Sequence, residues 1–105
     1  MRSNIHDVLK MVEGVVHACG PLEWDKGEAN AVAAVTVSQD GIVGVSCSPP
    51  NFGVSEKTWR LTVAPAIPGK EFTKGTARAT LHVCAAGDGI VTSIYPCDKD
   101  IQLEE

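Results

Sequence analysis

Two hydrophobic periods follow one another along the chain. Between residues 4 and 19, Ile5, Val8, Leu9, Val12, Val15, Val16 and Cys19 recur at three- and four-residue spacings, which predicts an amphipathic helix with one core-facing stripe. Ser3 or Asn4 can cap its first turn, Asp7 complements the dipole there, and Gly20-Pro21 supplies the stop. Beyond Glu28 the period falls to two. Residues 30–38 and 42–47 are β-branched runs on either side of Asp40-Gly41, a pair that favours the left-handed conformations of a type I′ hairpin turn. Trp59, Leu61 and Val63 alternate with Thr58, Arg60 and Thr62, and Ala77, Ala79, Leu81 and Val83 alternate with Arg78, Thr80, His82 and Cys84. A last strand is predicted over 89–95, after a turn at Gly87-Asp88 and before Pro96. Residues 48–53 and 64–75 read as loops, and the acidic stretch 98–105 as a frayed tail.

The order is therefore α-β-β-β-β-β, and short connections favour pairing between neighbours. The predicted fold class is α+β: one N-terminal helix packed on a five-stranded antiparallel β-meander, a single domain over 1–105. A two-residue turn at Gly87-Asp88 pairs Leu81 with Ile94, His82 with Ser93 and Cys84 with Val91, so that Leu81 and Ile94 join Trp59 and Val63 under the helix. Strand direction gathers the connections around 20–28, 48–55 and 86–89 at one end of the sheet. Trp24, Phe52 and Asp88 meet there as the candidate ligand-binding residues.

Composition agrees with a strand-rich chain, since 13 Val and 6 Ile stand against 5 Leu in 105 residues. The net charge of −4 excludes a general nucleic-acid or anionic-membrane binder, and no apolar run approaches the ~20 residues of a membrane span. Cys19, Cys47, Cys84 and Cys97 are widely spaced without Cys-x-x-Cys, and the N-terminal residues have no apolar leader region. Four free thiols and a cytoplasmic location are the expectation. Charge is uneven, because Lys57, Arg60, Lys70, Lys74 and Arg78 outnumber Glu56 and Glu71 between residues 56 and 78.

Candidate chemistry is sparse. His82-x-Cys84 puts imidazole and thiol on one strand face, but a metal needs about four ligands, and Cys47 or Cys97 would have to join them. A nucleophile built from Cys84 or Ser93 with His82 lacks a third group behind the imidazole. Asp98-x-Asp100 lacks the other oxygens of a calcium loop, and no glycine pattern opens a helix to cradle phosphate. Neither a metal nor a cofactor is expected. The leading expectation is a small binding or interaction protein without catalysis, with an unidentified protein or small molecule as further partner. One helix covers only one side of a sheet, so Val32, Ala34, Val43 and Val45 on the outer face predict a homodimer through that face. The alternative is an enzyme or ligand-binding protein with a pocket between the helix and a curved sheet, its mouth at Trp24, Phe52 and Asp88. A filled interior favours the first reading and a polar-lined cavity the second.

Overall fold

The computed structural model describes residues 1–48, 52–87 and 90–105, the last group by backbone alone over 90–95. Its strands are β1 (Arg2–Ser3), β2 (Val8–Val12), β3 (Val15–Glu23), β4 (Asn30–Gln39), β5 (Ile42–Cys47), β6 (Phe52–Gly53), β7 (Thr58–Val63), β8 (Gly75–Gly87) and β9 (Ile90–Glu104). Among the described residues there is no helix, so the α+β class with an N-terminal helix is overturned. None is available, either, that is long and apolar enough to cross a membrane.

The expected helix is a hairpin. Glu13 and Gly14 have φ of 53° and 77°, the two left-handed positions of a type I′ turn, and β2 and β3 pair on either side of it. Leu9 and Met11 of β2, and Val16, Ala18 and Leu22 of β3, are buried. Their period is two once the turn is allowed for. Val8 and Val12, members of the helical stripe, are instead 48% and 58% exposed. Four β-branched valines in nine positions also cost a helix rotamer freedom, whereas a strand accommodates them.

Gly20 does not end a helix; it sits inside β3. A Cβ there would lie 1.9 Å from the Asn4 carbonyl oxygen and 2.8 Å from Trp59 Nε1. Only glycine lets the stretch 4–7 and the indole approach β3 together, and Trp59 Nε1–H donates to that Asn4 oxygen at 2.7 Å. Lys99 holds the same stretch from the other side, donating to the Ile5 carbonyl (2.8 Å) and pairing with Asp7 (2.7 Å). The hydrogen bond from Lys99 holds the Asp7 carboxyl below its ordinary range.

The strands run in the order β5-β4-β8-β9-β2-β3-β7, with β1 continuing the edge of β2 along β3 and β6 continuing that of β5 along β4. All neighbours are antiparallel except β2 and β9, so the sheet is mixed and not a pure antiparallel meander. β8 and β9 pair Leu81 with Cys97, His82 with Pro96 and Cys84 with Ile94, with a bulge between Ala85 and Ala86. The expected pairing of Leu81 with Ile94 is thus displaced. The cause lies in the acidic tail, where Ile101 and Leu103 alternate with polar residues, are buried, and extend β9 to Glu104. The turn expected at Gly87-Asp88 involves residues outside the described ones. The Asp40-Gly41 hairpin forms as read, with φ of 48° and 82° and Gln39 opposite Ile42.

The sheet curls until its two ends meet. Ala66 N–H donates to the Val43 carbonyl (2.8 Å), and Gly44 is packed so closely that a Cβ would lie 2.3 Å from the Ala64 oxygen. Inside this barrel-like wall lie Trp59, Leu81, Val35, Val37, Val16, Val63, Leu9, Ile101 and Leu103, all buried. One end is stoppered by Phe72 and by the buried Gln39 amide, which exchanges hydrogen bonds with Thr73 N–H (2.8 Å) and C=O (2.7 Å). A self-covering sheet needs no helix to bury its inner face.

Candidate functional site

Backbone bonds gather the loops at the opposite end. Ala29 N–H donates to the Ala86 carbonyl (2.8 Å), Val54 N–H to that of Ala29 (3.1 Å), and Glu56 N–H to that of Gly53 (3.0 Å). Trp24 and Phe52 therefore lie at one end, both half-buried against the core, while Asp88 lies outside the described residues. Trp24 is committed: its Nε1–H donates to the Glu56 carbonyl at 2.6 Å. Phe52 belongs to β6, opposite Ala31. A shallow depression of about 420 Å³ at this end is lined by Arg2, Leu22, Glu23, Trp24, Asp25 and Lys57. It opens outward. The expected pocket between helix and sheet has lost the helix, and the space beneath the sheet is packed with side chains.

A buried charge cluster underlies this end. Glu28 is 6% exposed; it accepts from the Met1 ammonium (3.2 Å) and from Asp25 N–H (2.5 Å), and the Asp25 carboxylate also meets the ammonium. Burial opposes the ammonium's charge, but hydrogen bonds and charge from Asp25 and Glu28 outweigh it and raise its pKa above the ordinary 8.0.

The outer face of β5-β4-β8 brings together the residues singled out for metal or nucleophile chemistry. Ala34 lies between Cys47 and His82, and Val32 lies opposite Cys84 in the adjoining row. With Ser48 they line a largely apolar depression of about 250 Å³. His82 and Cys47 are separated by a whole strand, or roughly 10 Å of backbone. Among the described residues, no three His, Cys, Asp or Glu side chains converge as metal ligands. Cys97 takes the inward parity opposite Leu81, so the outer group does not gain that thiol, and the backbone of Ser93 pairs with Ala85 rather than with His82. All four cysteines are free, Cys47 being exposed.

A third patch leaves only a faint trace in the sequence, because it assembles residues from three strands. That trace is the i, i+2 spacing of His17 and Cys19, which diverges on the expected helix but shares a face on β3. Lys10, His17 and Thr62 form one row across β2, β3 and β7, and Cys19 faces Arg60 in a neighbouring row. His17, Cys19, Arg60, Leu61 and Thr62 border a depression of about 160 Å³. The basic excess of residues 56–78 is dispersed, since Arg78 is bound by Asp98 (2.7 Å) and Asp100 (3.1 Å). Those bonds lower the Asp98 pKa and raise that of Arg78. Arg60 stays exposed, with no ion-pair partner among the described residues. No protein-family model, no curated protein and no solved structure matches this chain.

Proposed function

We propose that the chain is a non-catalytic interaction domain that pairs weakly with a second copy of itself through the outer face of β5-β4-β8. One observation carries this reading. The interior is filled by side chains such as Trp59, Val35, Val37, Leu81 and Val83, whereas the apolar depression opens on the outside, between Val32, Ala34, Cys47 and Cys84. Val32 (43%), Val43 (40%) and Val45 (59%) are exposed beside it, a grouping that scattered surface valines do not produce.

Size sets the strength. Three strands about 4.8 Å apart, each about eight residues long at ~3.3 Å, offer roughly 400 Å². A standard interface takes about 800 Å² per partner, so the apolar rows supply only its centre and the pair is reversible. The polar Thr36, Ser38 and Thr80 complete the face, and a two-fold arrangement presents the same rows to each other. Sedimentation equilibrium across a wide concentration range should give an average mass rising toward twice the 11.1 kDa subunit. Val32→Asp, at an outward position, should abolish the rise without unfolding the chain. A mass of one subunit at every concentration refutes self-association through this face.

A further inference from the structure

The curled sheet closes incompletely. Its terminal strands β5 and β7 meet only where Ala66 N–H, three residues past β7, donates to the Val43 carbonyl, and among the described residues no backbone bond links the two strands themselves. Strand geometry says which groups this leaves. Leu22 N–H donates to the Lys57 carbonyl, so by alternation Trp59, Leu61 and Val63 spend their backbone groups on β3. Those of Thr58, Arg60 and Thr62 point the other way, to the free edge. On β5, Ile42, Gly44 and Ser46 bond to β4, which leaves Val45 and Cys47 directed at the same seam.

Side chains along the seam fit one kind of occupant. On the inner side, Leu61 is only half-buried, while Trp59 and Val63 on either side of it are fully buried; the wall is thin at Leu61. On the outer side, the exposed Arg60 lies between Thr58 and Thr62, with His17 of β3 opposite Thr62 and Lys10 of β2 beyond it. Between Val15 and Pro21, and between Thr58 and Thr62, there is no carboxylate, although the chain as a whole carries −4. Glu23 and Glu56 lie just past the Thr58 end of the patch, Glu23 paired with Arg2 (3.3 Å), and Glu104, beside Lys10 on β9, is two strands away from β7.

We propose that the free edge of β7 takes up an extended, acidic segment of a partner protein as an added strand. Main-chain bonds from Thr58, Arg60 and Thr62 would hold its backbone. Its inward side chains are apolar and cover Leu61, and a carboxylate on its outward side faces Arg60. The proposal deepens the reading as an interaction domain and uses an edge that self-association through Val32 does not touch.

The probe is a synthetic nine-residue peptide alternating valine and glutamate, blocked at both ends. Its controls are the valine–lysine peptide and a version N-methylated along one edge. Amide hydrogen exchange of the whole chain, read residue by residue, is the measurement. In the free protein, the Thr58, Arg60 and Thr62 amides should exchange far faster than those of Trp59, Leu61 and Val63. The glutamate peptide should slow the first set at least tenfold, the lysine peptide and the N-methylated peptide should not, and Arg60→Glu should invert the preference. Protection of Thr58, Arg60 and Thr62 in the free chain overturns the proposal, as does equal protection by both charged peptides or none by either. Sedimentation of Arg60→Glu and Val32→Asp, run alongside, reads self-association separately, so either idea can fail without the other.

Discussion

Replacing Gly20 by alanine separates the two ways of reading the N-terminal segment. A glycine that ends a helix costs about 1–2 kcal/mol to replace, because only its left-handed backbone is at stake. In β3 the added methyl meets the Asn4 carbonyl oxygen at 1.9 Å and Trp59 Nε1 at 2.8 Å. The oxygen is backbone, held by Trp59, and Lys99 ties the adjoining Ile5 carbonyl, so it cannot swing aside as a side-chain tip would. Overpacking of this kind costs about 1–3 kcal/mol. Pushing residues 4–7 away also breaks the bond between Trp59 Nε1–H and Asn4, and a buried donor left without a partner costs about 1–3 kcal/mol more. The sum is about 2–6 kcal/mol, a large share of the about 5–15 kcal/mol that holds an ordinary domain. Urea denaturation followed by circular dichroism gives the number. In a Trp59→Phe background, where no indole N–H remains to be orphaned, Gly20→Ala should cost less than in the native chain. A loss below about 1 kcal/mol, with no coupling to Trp59, refutes the strand geometry around Gly20.

Two other changes test the core and the buried charges. Trp59→Ala removes the largest fully buried side chain and should cost about 3–5 kcal/mol, against on the order of 0.5 kcal/mol for Thr58→Ala on the outward side; equal losses in the same urea experiment contradict the assigned faces. The Met1 ammonium has a folded pKa raised above 8.0, so its stabilising share is complete below that pH and is lost as pH rises through the folded value. Thermal midpoints should therefore fall above pH 8 in the native chain. They should fall less in Glu28→Gln, which is itself less stable at neutral pH; parallel curves for the two count against the cluster.

Legibility in the sequence tracked how local each signal was. Asp40-Gly41 and the alternation of Trp59, Leu61 and Val63 depend on near neighbours, and both were read correctly from the residues alone. The stripe from Ile5 to Cys19 satisfied a helical period because a two-residue turn shifts the phase of an alternating pattern; Glu13-Gly14 was the signal that would have exposed it, as the second position of that turn favours glycine. The fate of Ile101 and Leu103 was hidden among six acidic or polar tail residues, since burial there depends on β2, contributed from the far end of the chain. Trp24 and Phe52 do lie at one end, as strand direction implied, but the indole is spent on Glu56. The patch of Lys10, His17 and Arg60 could not be found from spacing, because curling and register, not sequence distance, bring it together.

The parallel ladder of β2 and β9 has a kinetic meaning. Val8 lies against Gln102 and Leu9 against Leu103, so the two halves of the sheet are joined by residues 94 positions apart in sequence (102 − 8). A chain emerging from the ribosome exposes Leu9 and Met11 long before Leu103 is made, and cannot seal them against β9 until then. Contacts so distant close large loops before they return any stabilisation, which places folding among the slower topologies, on the order of milliseconds to seconds. The interval between synthesis of the first hairpin and arrival of its last neighbour is when this protein is most vulnerable to aggregation and proteolysis.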